Sequence, residues 1–572
     1  MASIGPNRAA YTRGGGCVAR ASSGYHARNV NPADEKKSVS GTAAGAWSAL
    51  RYPVFRYLWI ATVVSNVGGW MYDAAAGWLM TSLSPSPLIV ALVQVANSLP
   101  LFLFALPAGA LADMVDRRRL ILTLEILTTV FSAVFAALVM LHVASPLVLL
   151  AFVFLIAALG AIETPAWQAI VPQLVPPVAL TSAIATNSVG VNISRVLGPA
   201  LAGLIILGLG IAAPFWVDAF SNLGVIAVIL WWREPARPAH ALPPEHLTGA
   251  IRAGWRYARN NRALKATLAR AVGFFLFASA YWALLPLLAR TQLGGGPTLY
   301  GVLLGAIGAG AVGGAFVLPR LKARSSADSM VMRGEAGTAL ALLLFALAHS
   351  PFIAVLACLI AGVSWIVVLA TLNVSAQVAL PEWVRGRGLA AYVAVFFGTM
   401  SVGSLLWGYL AERTGLMPAH CVAAAGALLA MVLSRRWRLG TGPQADLTPS
   451  VHWPAPVLAD PSQEDAGPVM VSVEYTVSVA NRAEFLAALA PVAHERLRDG
   501  AYDWDIFQDS AHPERLVEIF FVDSWLEHLR QHQRVTKADE LLETRLRRLV
   551  HGEPLITHYL AARRPPPGRP QG

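Results

Sequence analysis

The sequence predicts an all-α membrane protein with 12 transmembrane helices in two six-helix halves, followed by a small α+β domain. Three observations lead to this fold class: a shortage of charge, a repeated series of long apolar segments, and a C-terminal region in which polar and apolar residues alternate. Only 13% of the 572 residues are charged, whereas soluble domains carry about 25% charged residues. This composition excludes an ordinary soluble protein.

Twelve apolar segments match the length of about 20 residues that a helix needs to cross a bilayer. Six of them precede a polar interruption, near 57–80, 87–111, 119–142, 145–169, 184–208 and 212–232. Six follow it, near 267–290, 298–319, 331–349, 351–374, 388–412 and 417–434. This 6+6 pattern is an internal repeat, typical of transporters whose two halves are related by an axis along the membrane normal.

Basic residues cluster in the loops that follow even-numbered segments. They are Arg117, Arg118, Arg119, Arg252, Arg256, Arg259, Arg262, Lys265, Arg320, Lys322, Arg324, Arg385, Arg387, Arg435, Arg436 and Arg438. Opposite loops such as "TSLSPSP" and "HVASP" contain no Lys or Arg. The positive-inside rule therefore predicts that both termini are cytoplasmic. Because the net charge of +11 is divided among short loops, we expect no nucleic-acid partner.

The composition along the chain also predicts its domain organisation. Residues 1–46 are rich in Gly, Ser, Ala and Arg without an apolar core, which predicts a disordered tail and no secretory signal. The expected units are that tail at 1–46, a first helical half at 47–232, a central loop at 233–266, a second half at 267–437, a Pro-rich linker at 438–467 and a small domain at 468–563.

The C-terminal region begins with "VMVSVEYTVSV", whose strict alternation predicts a half-buried strand. A helix, the strands "YDWDIFQ" and "RLVEIFFV", one long helix and the strand "LITHYLA" follow, which is the β-α-β-β-α-β order of a ferredoxin-like unit. His528 and His532 stand at i and i+4, a spacing seen in metal sites. No third ligand lies near them in the sequence, so we expect a solvated helical face and no metal or other cofactor.

Ionisable side chains at bilayer depth are functional candidates because each is costly to bury. Asp73 shares one helical face with Asn66 and Trp70, and we expect this face to line a cavity. Asn192 lies on the same helical face as Arg195. Four further charged residues qualify: Glu125, Glu163, Arg195 and Asp218.

Arg195 keeps its charge at neutral pH, and we expect it to pair with Glu163 or Asp73. One of these carboxylates would then exchange the arginine for a proton during transport, since burial and an opposite charge shift a carboxyl pKa in opposite directions. A static ion pair is the alternative for Glu163 and Arg195. For Asp73 the alternative is an asparagine-like packing role. For Glu125 and Asp218, which lie nearer the predicted membrane edges, the alternative is simple solvation.

The second half offers aromatic and polar candidates instead, and no comparable buried charge in its early segments. They are Tyr281, Trp282, Trp365, Asn373 and Tyr392. An aromatic cavity with charges on one side would suit an amphipathic organic solute. Each aromatic residue has the alternative of facing lipid at the membrane interface.

The stretch "GALADMVDRRRL" at 109–120 resembles the loop signature of the major facilitator superfamily, G-x-L-A-D-R-x-G-R-[RK]. The matching residues are Gly109, Leu111, Ala112, Asp113, Arg117 and Arg118. Met114 stands where the family has an arginine, and Asp116 where it has a glycine. The resemblance implies a gating loop that latches the two halves in the outward-facing state. Topology anchors alone would also account for the arginines.

Longer blocks resemble the enterobactin-exporter-like branch of that superfamily, the transmembrane secretion effectors. They are "FRYLWIATVVSNVGGWMYDAAAGWLM", "ALTSAIATNSVGVNISRVLGPALAGL" and "VRGRGLAAYVAVFFGTMSVGSLLWGYLAERTG", spread over residues 50–437. "SRVLGPALAG" resembles the Gly-Pro motif of proton-coupled exporters through Gly198, Pro199 and Gly203, with ordinary small-residue packing as the alternative. The C-terminal region resembles antibiotic-biosynthesis-monooxygenase-like domains, which usually dimerise.

These resemblances imply a proton-coupled secondary transporter in the bacterial inner membrane. It would export amphipathic compounds such as a siderophore, an antibiotic or a drug, with the substrate, protons and the lipid bilayer as its partners. The sequence contains no G-x-x-x-x-G-K-[ST] loop for ATP. The alternatives are a membrane-tethered monooxygenase-like enzyme and a ligand sensor, both using the C-terminal domain, which is also a candidate for homodimerisation.

Overall fold

The computed structural model describes residues 47–232, 256–381, 383–439, 446–450 and 466–561, with 453, 456 and 458, but not the side chains of residues 106, 110 and 112–114. The predicted tail at 1–46 and most of the central loop lie outside the described residues. Within the described ranges, twelve long helices form a bundle, and four strands with three helices follow it.

The first half of the bundle consists of six helices. They are α1 Pro53–Leu83, α2 Pro87–Met114, α3 Arg117–Met140, α4 Pro146–Ile170, α5 Leu180–Leu209 and α6 Ala213–Trp231. Proline begins α1, α2 and α4, where a helix has no partner for the backbone N–H that proline lacks. Ser86 and Ser145 cap α2 and α4 by accepting hydrogen bonds from Ile89 and Val148. Local sequence signals therefore set where these helices begin.

The second half repeats this arrangement. Its helices are α7 Arg262–Leu287, α8 Pro297–Arg324, α9 Ala327–Ala346, α10 Pro351–Val378, α11 Arg385–Thr414 and α12 Leu416–Ser434. Contacts of α2 with α11 and of α5 with α8 join the two halves. The cavity described below lies between these helix pairs.

Eleven of the described helices are long and apolar enough to cross a membrane, in agreement with the predicted multi-pass fold. Helix α1 is not among them, because its Gly, Trp, Tyr, Asn and Asp residues lower its hydropathy. It nevertheless packs along α5 and α6 inside the bundle. The twelfth span thus stays a prediction, which the position of α1 favours.

The C-terminal region forms a four-stranded antiparallel sheet in the order β2-β3-β1-β4. Its strands are β1 Val469–Thr476, β2 Tyr502–Gln508, β3 Arg515–Val522 and β4 Leu555–Leu560, and its helices are α13 Arg482–Asp499, α14 Trp525–Arg534 and α15 Lys537–Arg547. The single second helix of the prediction is wrong, because Thr536 and Asp539 form a capping box that starts α15 anew.

The C-terminal domain lies against the bundle through both charged and aromatic groups. Arg256, just before α7, donates from Nη1 to the Gly500 carbonyl at 3.0 Å and lies 3.6 Å from the Glu527 carboxylate. The Arg534 guanidinium stacks 4.5 Å from the ring centre of Trp383, just before α11. The domain therefore sits at the bundle end whose loops carry the predicted cytoplasmic arginines.

Candidate functional site: a central cavity between the two halves

A cavity of about 390 Å³ lies between the two halves, a volume typical of small-molecule sites. Helices α1, α2 and α5 line one side of it, and α7, α8, α10 and α11 line the other. Its charged residues are Asp73 and Arg195, and Gln94 and Asn97 add polar groups from α2. Six aromatic side chains complete the wall: Trp70, Trp282, Tyr300, Trp365, Phe396 and Phe397.

Asp73 lines this cavity as predicted, together with Trp70 one turn earlier on α1. Its Oδ1 accepts a hydrogen bond of 3.0 Å from Asn97 Nδ2. Sequence reasoning missed Asn97, although Gln94 and Asn97 form an i, i+3 polar pair in an otherwise apolar helix. Asn66 is not among the lining residues, so only two of the three residues on the predicted face line the cavity.

Arg195 also lines the cavity, but its partner differs from the prediction. Its guanidinium lies 5.4 Å from the ring centre of Trp70, a cation–π contact. Among the described residues, no carboxylate approaches it closely enough for an ion pair in this conformation. Asn192 donates to the Ser188 carbonyl of its own helix at 2.8 Å and does not line the cavity.

The other three predicted carboxylates of the first half are not among the residues that line the cavity. The side chains of Glu125 on α3 and Glu163 on α4 lie close enough to interact with each other. Asp218 on α6 accepts a hydrogen bond of 2.5 Å from the Ser132 hydroxyl. Solvation, the alternative for Glu125 and Asp218, is wrong here, because neighbouring helices leave only 8% and 3% of these residues exposed.

The Gly-Pro segment of α5 lies at two close helix crossings. A Cβ on Gly198 would overlap the Cβ of Trp70 on α1. A Cβ on Gly203 would lie 2.8 Å from the Pro297 carbonyl oxygen and 3.4 Å from the Cα of Gly301, both at the start of α8. The missing side chains thus allow α5 to approach a helix of each half. Pro199, between the two crossings, lines the cavity.

The arginines of the predicted gating loop contact helix ends. Arg118 donates from Nε to the Ile229 carbonyl at 3.0 Å and from Nη2 to the Leu230 carbonyl at 2.9 Å, at the C-terminus of α6. Arg117 donates to the Ala169 carbonyl at the end of α4. These contacts satisfy terminal carbonyls and complement the helix dipoles. The arginines therefore hold α4 and α6 to the start of α3.

The structure accounts for one of this loop's two departures from the family signature, Asp116 in place of a glycine. Asp116 caps α3 by accepting a hydrogen bond of 2.9 Å from the Arg119 backbone N–H, a role that a glycine at this position could not fill. Among the described residues, none lies within 4 Å of the position that a Cβ on Gly109 would take. The Asp113 side chain lies outside the described part of the chain.

Two aromatic candidates of the second half lie in the cavity wall, and one expectation for this half is corrected. Trp282 and Trp365 line the cavity, whereas Tyr281 and Tyr392 are buried elsewhere and Asn373 hydrogen-bonds its own helix neighbour. The expected lack of buried charge in the early helices is wrong. Arg270 on α7 and Glu335 on α9 are each 1% exposed, and Arg270 pairs with Asp328 at 2.9 Å.

The C-terminal domain also corrects an expectation. His528 does not lie on a solvated face, because the sheet and the neighbouring helices leave only 2% of it exposed. His532 and His558 lie beside it, both half-buried.

A helical bundle of two similar halves around one central cavity defines a secondary-transporter fold of the major facilitator type. Sequence comparison makes this assignment specific, because the transmembrane secretion effector family matches residues 44–566. The chain belongs to this family of major facilitator transporters. It is therefore a multi-pass membrane transporter that acts on small molecules.

Individual relatives agree with the family. The chain is 26% identical over 432 residues to the multidrug efflux pump Tap of Mycobacterium tuberculosis, covering 69% of this chain and 97% of Tap. It is 28% identical over 176 residues to a staphyloferrin A transporter of Staphylococcus aureus, covering 31% of this chain and only 44% of that protein. A POT family transporter crystallised with 5-aminolevulinic acid shares the fold, with a TM-score of 0.56, 11% identity and coverage of 66% of this chain and 94% of that one.

Proposed function

We propose that this protein is a proton-coupled exporter of amphipathic organic compounds with twelve membrane-spanning helices, both termini cytoplasmic, in a bacterial inner membrane. The observation that carries the proposal is the cavity, which combines one carboxylate and one guanidinium with six aromatic side chains. Multidrug efflux, the function of Tap, supports the direction of transport, and both this function and staphyloferrin A transport support the substrate class.

The substrate class follows from the wall of the cavity. Aromatic faces bind apolar rings and cations, while Asp73 and Arg195 offer opposite charges on the first-half side. An amphipathic solute with a charged or polar group at one end would satisfy both surfaces. A siderophore, an antibiotic or a hydrophobic drug has this character.

The first-half carboxylates support proton coupling because they form a series from one bundle end to the cavity. Glu125 lies about two helical turns from the arginines that begin α3, and Glu163 lies about two turns from the end of α4, which Arg117 contacts. Asp218 interacts electrostatically with Glu125 on one side and with Asp73 on the other. A proton taken up at Asp73 would thus have carboxylate acceptors on its way to the cytoplasm.

Arg195 provides a movable positive charge beside this series. In this conformation the guanidinium of Arg195 lies over the ring of Trp70. A deprotonated Asp73 on the facing helix would attract this guanidinium. Protonation of Asp73 would release the arginine, while substrate binding between them would compete for the same groups. The movement of the proton would thus be coupled to the movement of the substrate through Asp73 and Arg195, which both line the cavity.

We infer that the C-terminal domain has a sensing or dimerising role within the transporter and does not act as a separate tethered enzyme. Its sheet order supports the ferredoxin-like fold, and its contacts with Arg256 and Trp383 join it to the bundle. The edge strands β2 and β4 expose large apolar residues, which would suit a second copy of the domain. They are Phe507, Leu555, Ile556 and Tyr559.

The test is transport into inside-out membrane vesicles whose lumen has been acidified. Ethidium, as a cationic amphipathic probe, and a catecholate siderophore would be supplied outside. We expect uptake that an uncoupler abolishes. Asp73→Asn and Glu163→Gln should each reduce proton-driven uptake at least about tenfold, because neither amide can carry the proton.

Glu514→Gln is the matched control, since Glu514 is an exposed carboxylate of the C-terminal domain. Its uptake should equal that of the wild type. Uptake that survives the uncoupler would refute proton coupling, and undiminished uptake in both carboxylate variants would make these groups structural. Absence of uptake for both probes would refute the substrate class.

A further inference from the structure

Three imidazoles meet in the C-terminal domain although they are distant in the sequence. His528 and His532 lie one turn apart on α14, and His558 lies on β4 opposite Val471 of β1. The ring centre of His528 is 4.7 Å from that of His532 and 4.7 Å from that of His558. One ring nitrogen from each histidine lies within 4.8 Å of the other two.

The spacing of two of these nitrogens matches a tetrahedral metal site. His528 Nε2 and His532 Nε2 are 3.3 Å apart. A tetrahedral Zn²⁺ ion with Zn–N bonds of about 2.0–2.1 Å requires ligand nitrogens about 3.3–3.4 Å apart. The i, i+4 pair therefore already has the required separation, and the third imidazole needs only a side-chain adjustment on the adjoining strand.

His528 directs its Nε2 towards His532 Nε2, 3.3 Å away, and a bound ion would replace this hydrogen bond. Its Nδ1–H donates to Gln531 Oε1 at 3.2 Å, and an outer hydrogen bond of this kind sets the tautomer of metal-binding histidines. Burial, followed by the neighbouring His532 and His558, lowers the pKa of His528 to about 3. The imidazole is thus neutral at physiological pH, as a metal ligand must be.

Two of the three histidines keep partial contact with solvent. His532 and His558 are half-buried, whereas His528 is buried, so an ion can reach the cluster from solvent past two of its ligands. Trp453 packs on His532 with ring centres 4.9 Å apart and Trp525 packs on His558 with ring centres 5.7 Å apart. The aromatic rings limit the rotation of the two more exposed imidazoles.

We propose that His528, His532 and His558 bind one divalent transition-metal ion, with Zn²⁺ as the preferred ion. Imidazole ligands suit Zn²⁺, whereas Mg²⁺ and Ca²⁺ prefer oxygen ligands. Three protein ligands leave a fourth position for water or an exogenous ligand. This site is separate from the cavity in the bundle and does not depend on the proposed transport function.

The test is a metal titration of the full chain, purified in detergent without a polyhistidine tag and stripped with a chelator. Co²⁺ serves as the spectroscopic probe for Zn²⁺. We expect one Co²⁺ per chain, with the visible absorption of tetrahedral coordination, and complete displacement by Zn²⁺. His532→Gln and His558→Gln should each weaken binding about 100-fold or more, since changes to outer partners alone cost 10–100-fold.

His551→Gln is the matched control, because His551 is an exposed histidine of the same domain and should bind Co²⁺ like the wild type. Size-exclusion chromatography and circular dichroism would confirm that each variant is folded. Wild-type protein without a stoichiometric tetrahedral Co²⁺ spectrum would overturn the proposal, whatever the variants do. Folded His532 and His558 variants with wild-type affinity would overturn it as well.

Discussion

Glu495 on α13 shows how a single residue makes the C-terminal domain sensitive to pH. Burial, reinforced by the adjacent Asp539, raises the pKa of the Glu495 carboxyl to about 9. An unfolded chain loses this proton near pH 4.3. Between about pH 4.5 and 9 the folded domain therefore holds a proton that the unfolded chain has lost, so its free energy of unfolding falls as pH rises.

We expect Glu495→Gln to remove this decline, because the amide stays neutral and can still donate a hydrogen bond to Asp539. Hydrogen exchange of residues 482–499 in the full chain, corrected for intrinsic rates, should slow at pH 8.5 but not at pH 5. Glu484→Gln, at an exposed position in the first turn of the same helix, should leave the wild-type pH dependence in place. Equal pH dependence in Glu495→Gln and wild type would contradict the buried proton.

At the scale of elements, the crossing of α5 and α8 depends on the absence of side chains. Gly203→Ala would place a Cβ 2.8 Å from the Pro297 carbonyl oxygen, so the two helices would have to separate. Overpacking of this kind costs about 1–3 kcal/mol. We expect a lower apparent unfolding temperature in detergent and slower transport, because α5 and α8 belong to opposite halves.

Gly208→Ala on the same helix supplies the control, since a Cβ there meets nothing within 4 Å. Alanine is also the better helix former, so this variant should be as stable as the wild type or more stable. Similar behaviour of the two variants would show that the α5–α8 crossing tolerates a methyl group.

At the scale of the whole molecule, Arg256 connects the bundle to the C-terminal domain. Arg256→Gln would remove the charge beside Glu527 and the donor to the Gly500 carbonyl. We expect faster hydrogen exchange around residues 256–261 and 498–502, with the sheet unchanged, because the domain would keep its own core of Val471, Phe485 and other apolar residues.

Arg259→Gln is the comparison, because Arg259 lies one turn away and is exposed. Its exchange pattern should equal that of the wild type. If Arg256→Gln also left exchange at both contact segments unchanged, the two parts would not depend on this contact. If exchange rose throughout the sheet, Arg256 would be needed for the folding of the domain itself.

Much of the architecture could be predicted from local sequence patterns. Long apolar segments indicate membrane helices because backbone groups in lipid must pair within the helix. Alternation at 469–479 indicates the first strand because neighbouring side chains point to opposite faces. Asp73 and Arg195 could be singled out because charge is costly among apolar neighbours, and both line the cavity.

The membrane-spanning class, the two halves, the small C-terminal domain and several candidate charges could thus be predicted before any contact was known. The pairs of side chains that meet could be found only in the folded chain: Asn97 with Asp73, Glu125 with Glu163, and His558 with His528. The physical reason is that hydropathy depends on local composition, whereas contacts depend on how each helix or strand is rotated and aligned against its neighbours. That alignment results from the packing of all side chains together.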